Sequence, residues 1–213
     1  MRPTSKPLST RSSRLTNIGK PTFAAAILLA IAGCSATATP SVDAGTTSEF
    51  SEGSPLPEVS LVGYIDRNHD GKLTADEHGA FTPKDVVAAN PGVELLLVHV
   101  AFGWCKYCWS ETPEQIKWTT GYGGRFLSIQ ILVEDRVGNA ATKSFVDEWI
   151  DLHQSSLPTA LEPSATLFNR FGRSATYLLV DPKNNMKILT VGAGPPTFDF
   201  VRTKITERLG PLP

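Results

Sequence analysis

The sequence predicts one α/β domain built on a central mixed sheet flanked by helices. Three observations carry this. Apolar runs typical of buried strands alternate with segments of helical spacing, which favours parallel pairing. Near the C-terminus two further strands are joined by a short polar turn, which adds antiparallel pairing. The chain has 213 residues, 41% of them hydrophobic, enough for one well-buried core and too short for two comfortable ones.

The elements follow in order. "GVELLLVHVAF" (92–102) is apolar on both faces, as a central strand covered on both sides should be. "SETPEQIKWTTGY" (110–122) reads as a helix, and "GRFLSIQILVED" (124–135) as a second buried strand. "NAATKSFVDEWIDLHQ" (139–154) has apolar residues at helical spacing, with Asn139 as its cap. After a proline-containing loop, "ATYLLVDPKNN" (175–185) and "MKILTVG" (186–192) form a hairpin turning at Pro182 to Asn185. "PTFDFVRTKITERL" (196–209) closes the chain as a helix started by Pro196.

Residues 1–33 read as a targeting segment. Arg2, Lys6, Arg11, Arg14 and Lys20 precede the apolar run "FAAAILLAIA", and no acidic residue occurs before Asp43. That run is too short to span a bilayer. It ends in Ile31-Ala32-Gly33-Cys34, which resembles the bacterial lipobox, where cleavage precedes a cysteine that is then acylated; the alternative is an ordinary secretory signal with a chance cysteine. The resemblance implies a lipid anchor at Cys34. Ser35 resembles the outer-membrane sorting pattern, which implies a place in the cell envelope, on the outer membrane facing the periplasm. Loss of the five positive residues takes the formal charge from −1 to −6, a matter of solubility. No basic stripe with interleaved aromatics suggests nucleic acid as a partner. Residues 34–55, rich in Ser, Thr, Ala, Gly and Pro, read as a tether. The domain is expected at 56–213, with 56–89 as an N-terminal extension.

Of the three cysteines, assigning Cys34 to lipid leaves Cys105 and Cys108 as a pair. They lie in "AFGWCKYCWSETP" (101–113), at the first strand-to-helix junction. Zinc requires four ligands, and the chain has no second cysteine pair. Covalent haem requires His after the second cysteine, where Trp109 stands. A purely structural disulfide stays open. The element order with W-C-x-x-C at that junction resembles the thioredoxin fold, and within it the membrane-anchored thiol-disulfide branch of TlpA/ResA type. The pattern C-x-x-C-x-x-E-x-P of that branch is met by Cys105, Cys108, Glu111 and Pro113, behind Trp104. The likeness covers about residues 90–210.

A helix N-terminus stabilises a thiolate through unpaired N–H groups and its positive dipole end. Cys105 is therefore expected to attack and Cys108 to resolve, with Lys106 adding positive charge beside the thiolate. Glu111, one turn beyond Cys108, is by resemblance the acid-base group for the buried thiol; the alternative is a solvated helix carboxylate. His99, the polar residue within an apolar strand, is either a second proton acceptor or a satisfied core residue. A peroxidatic cysteine in the peroxiredoxin manner would want Thr or Ser where Phe102 stands. Thioredoxin-like proteins usually place a cis-proline just before the hairpin strand. Here Ala175 occupies that position, and a trans peptide is expected because a cis bond before alanine costs about 2.5–4 kcal/mol.

"DRNHDGKLTADE" (66–77) matches the twelve-residue calcium loop: Asp66, Asn68, Asp70, the Lys72 carbonyl, Thr74 and Glu77 as ligands, Gly71 for the turn. The flanks are not convincingly helical, and in the resembled branch an acidic D-x-D-G-K turn commonly joins two strands without metal. The reading drawn from the whole sequence is an envelope lipoprotein that exchanges electrons with protein thiols or disulfides. The cysteine pair is its own redox centre, calcium is a candidate ion, and a separate redox partner recharges the pair. The rival is a redox-silent calcium-binding or scaffold lipoprotein on the same fold.

Overall fold

The computed structural model describes residues 49–213; the leader, Cys34 and most of the tether lie outside the described residues. In chain order the elements are β1 (Leu61–Tyr64), β2 (His78–Phe81), α1 (Pro83–Ala89), β3 (Leu95–Phe102), α2 (Lys106–Gly121), β4 (Phe126–Glu134), α3 (Lys143–His153), β5 (Thr159–Leu161), α4 (Thr166–Phe171), β6 (Thr176–Asp181), β7 (Lys187–Ala193) and α5 (Pro195–Leu209). All eight side chains of β3 are buried, as its unbroken apolar run requires of a strand covered on both faces. The sheet order is β2-β1-β5-β4-β3-β6-β7. β3 pairs parallel with β4 and β4 with β5, while every other pairing is antiparallel.

Leu95 and Leu97 of β3 and Phe126 of β4 pack against Trp118 of α2, Tyr122 at its C-cap, and Phe198, Val201 and Ile205 of α5. The alternate residues Leu96, Val98 and Val100 join Ile129 and Ile131 of β4, Val146 and Trp149 of α3 and Val86 of α1 in a second cluster. The period of two along each strand thus serves two helical layers.

All seven predicted elements are present, and the differences have local causes. Helix α2 starts at Lys106 rather than near 110, because Cys105 itself caps it. Helix α3 is capped by Thr142, whose hydroxyl accepts from the Phe145 N–H, and not by Asn139, which closes a turn with Asp135. The loop before the hairpin contains β5 and α4, which at three and six residues are too short to show a period. The tether expected to reach residue 55 stops earlier. Phe50 is buried with its ring 5.5 Å from that of Phe171, and the N–H groups of Gly53 and Leu56 donate to the carbonyls of Ile188 and Met186. One aromatic anchor and a short run of backbone bonds along β7 outweigh a composition that reads as linker.

Phe50→Ala should therefore cost about 3 kcal/mol, the range for emptying a buried aromatic site. Chemical denaturation reads this as a lower midpoint, and an unchanged midpoint would return residues 50–55 to the tether.

Candidate functional site

Where β3 ends, the chain turns sharply between two layers. A Cβ on Gly103 would lie 2.6 Å from the Asp135 carbonyl carbon and 2.7 Å from the Arg136 nitrogen, so only glycine fits there. Its N–H donates to the Glu134 carbonyl at 2.8 Å. Trp104 follows, exposed, with its indole N–H donating to Glu134 Oε2 at 2.6 Å; Arg173 donates to the same oxygen at 2.8 Å. Glu134 thereby ties the residue before the cysteine pair to the segment before β6. Glu134 also lines an apolar cavity of about 440 Å³, together with Leu132, Leu161 and Phe168.

Cys105 caps α2, with its Sγ accepting from the Cys108 N–H at 3.1 Å, and the two form a disulfide with Cα atoms 5.3 Å apart. The sulfurs are not equivalent. Cys105 keeps 8% of its surface exposed and Cys108 keeps none. No acidic residue occupies the first turn of α2, and the exposed Lys106 ammonium lies 5.0 Å above the Tyr107 ring. Trp109 pins the turn, donating to the Gly103 carbonyl at 2.6 Å and packing on Trp149 with Arg136 above its ring. Pro113 sits on the exposed side of α2, where its missing N–H removes the helical bond from position 113 to the Trp109 carbonyl.

Below the pair, α2 presents a polar seam to the sheet. Thr112 donates to the Cys108 carbonyl at 2.8 Å and accepts from Gln130, whose amide oxygen takes the Trp149 indole N–H. Ser128 donates to Gln115 Oε1 at 2.6 Å, which turns the Gln115 amide nitrogen toward His99 Nδ1 at 2.9 Å. His99 then carries its proton on Nε2, an atom that has no partner among the described residues. Burial pulls the His99 pKa down to about 3, only partly offset by the Gln115 bond, so the ring is neutral. Its ring stacks on Tyr177 with centroids 4.7 Å apart.

Glu111 is buried in this seam, and the Tyr177 hydroxyl donates to its Oε2. Burial pushes the carboxyl up to about 7; the Tyr177 bond opposes that rise and the charge of Asp199 adds to it. Ala175, also buried, belongs to the same apolar cluster as Cys105 and Cys108, and its carbonyl accepts from the Gly194 N–H at 3.0 Å. No cis peptide occurs among the described residues.

The calcium-like loop joins β1 to β2, well apart in sequence from the pair. Asp66 accepts from the N–H groups of Asp70 and Gly71, Asn68 from Asp70, and Asp70 from Lys72. The buried Glu77 carboxylate takes the N–H groups of Arg67 and Asn68 on one oxygen, and the N–H and hydroxyl of Thr74 on the other. Burial pushes the Glu77 pKa up, but these hydrogen bonds outweigh it and hold the carboxyl below its ordinary value. Among the described residues no group of three or more His, Cys, Asp or Glu side chains converges as a metal cage. In this conformation Asp66, Asn68, Asp70 and Glu77 accept from the loop's own backbone N–H groups, and a carboxylate oxygen that takes one N–H keeps a lone pair for an ion.

Sequence reasoning passed over Glu134, Tyr177, Ser128 and Gln130. The last two leave a trace, as the polar residues of "FLSIQILV" two positions apart on one face. Glu134 and Tyr177 leave none, because their partners lie 30 and 66 residues away.

No family model matches the sequence, and no curated protein does. Solved structures match in three dimensions. A thiol:disulfide interchange protein from Bacteroides sp. aligns at a TM-score of 0.53 and 15% identity, covering 77% of this chain and 93% of its own. The thioredoxin domain of a thiol-disulfide oxidoreductase from Bacteroides vulgatus aligns at 0.50 and 18% identity, covering 73% and 98%. The fold is thioredoxin-like. The pneumococcal exposed lipoprotein thioredoxin from Streptococcus pneumoniae aligns at 0.50 and 17% identity over 71% of this chain and 99% of its own. No helix among the described residues is long and apolar enough to cross a membrane.

Two outcomes follow from the geometry. Folding raises the Glu111 pKa, so the folded state favours its protonated form. That stability is present below the unfolded value of about 4.3 and is lost as pH rises through about 7. Its size is about 3 kcal/mol. Glu111→Gln should flatten this part of the stability–pH curve, measured by denaturant titration between pH 4 and 8, and a curve unchanged by the substitution would place the carboxyl in water. For the loop, millimolar calcium should raise the melting temperature, with Asp66→Ala abolishing the effect. No shift at millimolar calcium would leave 66–77 as a plain turn.

Proposed function

We propose that the protein is a thiol-disulfide oxidoreductase of the cell envelope, held to the membrane by lipid on Cys34, that exchanges electrons with the cysteines of client proteins through Cys105 and Cys108. The observation that carries this is the asymmetry of the pair. One sulfur caps a helix at the surface, and the other is sealed above a polar seam containing a carboxyl poised near neutrality. A disulfide that only stapled the fold would need no such difference.

In the reducing direction, the Cys105 thiolate attacks one sulfur of a client disulfide and expels the other as a thiolate, leaving a mixed disulfide. The Cys108 proton passes to the Glu111 carboxylate, and the Cys108 thiolate attacks Cys105 Sγ. The bond from Cys105 to the client breaks, the Cys105–Cys108 bond forms, and the client leaves reduced by two electrons. The oxidising direction is the reverse, with a client thiolate attacking Cys105. The N–H of Cys108 and the acid-free first turn of α2 stabilise charge on Cys105. Exposed Trp104 and Tyr107 flank it with apolar surface suited to polypeptide. A separate envelope redox partner would reset the pair, which needs no further cofactor.

The rival reading, a redox-silent scaffold on this fold, draws on Ala175, which removes the ring that usually shapes the groove beside the pair.

In the reduced protein, an alkylating probe titrated against pH should modify Cys105 first, and Cys108→Ser should accumulate mixed disulfides through Cys105. Glu111→Gln should slow resolution of that intermediate on the order of 10²-fold while leaving its formation nearly intact. Equal labelling of both cysteines, or no exchange by the unmodified protein, favours the scaffold. For the anchor, mass spectrometry of the mature N-terminus should find acylated Cys34; an unmodified Cys34 would remove the tethering.

A further inference from the structure

Tyr177 is buried in the middle of the sheet, yet its hydroxyl reaches the carboxyl of Glu111, one helical turn beyond Cys108. Three restraints fix it. Its backbone is held in the β3–β6 ladder directly opposite His99. Its ring is stacked on His99, with planes 16° apart, and the Phe198 ring of α5 packs 5.6 Å away. A phenol clamped in this way can swing its oxygen only within a narrow arc, and Glu111 Oε2 is the acceptor there. The second carboxyl oxygen of Glu111 makes no hydrogen bond among the described residues. Glu111 and Cys108 lie one helical turn apart on the buried side of α2.

We propose that Tyr177 is a positioning residue for Glu111: it holds one carboxyl oxygen, leaves the other for the Cys108 proton, and sets the pH at which that proton can be taken. This rests on the disulfide-exchange reading above and names a residue that reading does not require. The transfer moves one proton from Cys108 Sγ to Glu111 and consumes no oxidant, since the electrons move between sulfurs in the following attack. The groups facing Glu111 are few. From β6 it meets the Tyr177 hydroxyl, and behind that ring the neutral imidazole of His99 on β3. From α5 it meets the charge of Asp199, itself paired with Arg202, and on its own helix Cys108 lies one turn before it. Tyr177 is thus the donor that favours the carboxylate against burial and Asp199. A hydroxyl buried merely for packing would have no reason to end on the titrating group of the site.

The test is Tyr177→Phe, which keeps the ring stack and removes only the donor. Resolution of a mixed disulfide preformed on Cys105 is followed against pH by stopped flow. In parallel the Glu111 carboxyl is titrated by carbon-detected NMR, a readout independent of turnover. Loss of the donor should move both midpoints upward by about one pH unit, with the alkylation profile of Cys105 unmoved. In a Glu111→Gln background, Tyr177→Phe should produce no further change in the resolution profile. Midpoints that stay in place while Glu111→Gln abolishes the titration would overturn the proposal and leave the exchange reading standing. Absence of exchange in the unmodified protein would remove that reading and this inference with it. A shift that persists in the Glu111→Gln background would show that Tyr177 acts on something else, which also overturns it.

Discussion

A carboxyl buried beneath the first turns of α2 has to be met by polar partners from the sheet, and this requirement organises the molecule around the cysteine pair. β6 answers it with Tyr177, which reaches Glu111 only because β6 is paired with β3 in a register that sets Tyr177 opposite His99. The same seam continues along the helix, where Thr112 and Gln115 meet Gln130 and Ser128 of β4. A slip of one residue in β3, β4 or β6 would turn every one of these side chains to the opposite face and leave buried polar atoms unmatched. Polar satisfaction here specifies register in a core whose apolar packing alone would be permissive.

The two cysteines inherit their difference from this arrangement. Cys105 sits where β3 ends and α2 begins, so its sulfur meets helix N–H groups and solvent together. Cys108, three residues on, faces the seam. Gly103 permits the tight passage between β3 and the loop after β4, and Glu134 fixes Trp104 from outside. The proposed reactivity at the surface and proton transfer in the interior would therefore rest on opposite ends of a single helical turn. Ala175 stands where the resembled proteins usually carry a proline, and it is buried in the same apolar cluster as the pair.

Much of this was legible in the sequence because the signals are local. The apolar run of β3, the W-C-x-x-C at its end and the spacing of Cys108 to Glu111 each lie within a dozen residues. What escaped was either short or distant. β5 and α4 are too brief for a period to emerge, and Phe50 anchors a stretch whose composition reads as tether. The calcium-like pattern of 66–77 reads two ways: oxygen-bearing side chains at ligand spacing suit an ion and also a turn that binds its own N–H groups, as Asp66 and Glu77 do. Tyr177 appeared as one more apolar residue of a strand, since its role depends on a carboxyl 66 residues earlier.

The central claim is that the Cys105–Cys108 disulfide is a working redox couple. Its reduction potential tests this most directly, measured by equilibrating the protein with thiol–disulfide buffers and following tryptophan emission, since Trp104 adjoins the pair. The account predicts a reversible two-electron couple between about −270 and −120 mV, the span of disulfide-exchange proteins. A potential below about −300 mV, typical of structural disulfides, or a bond that does not re-form after reduction, would contradict it.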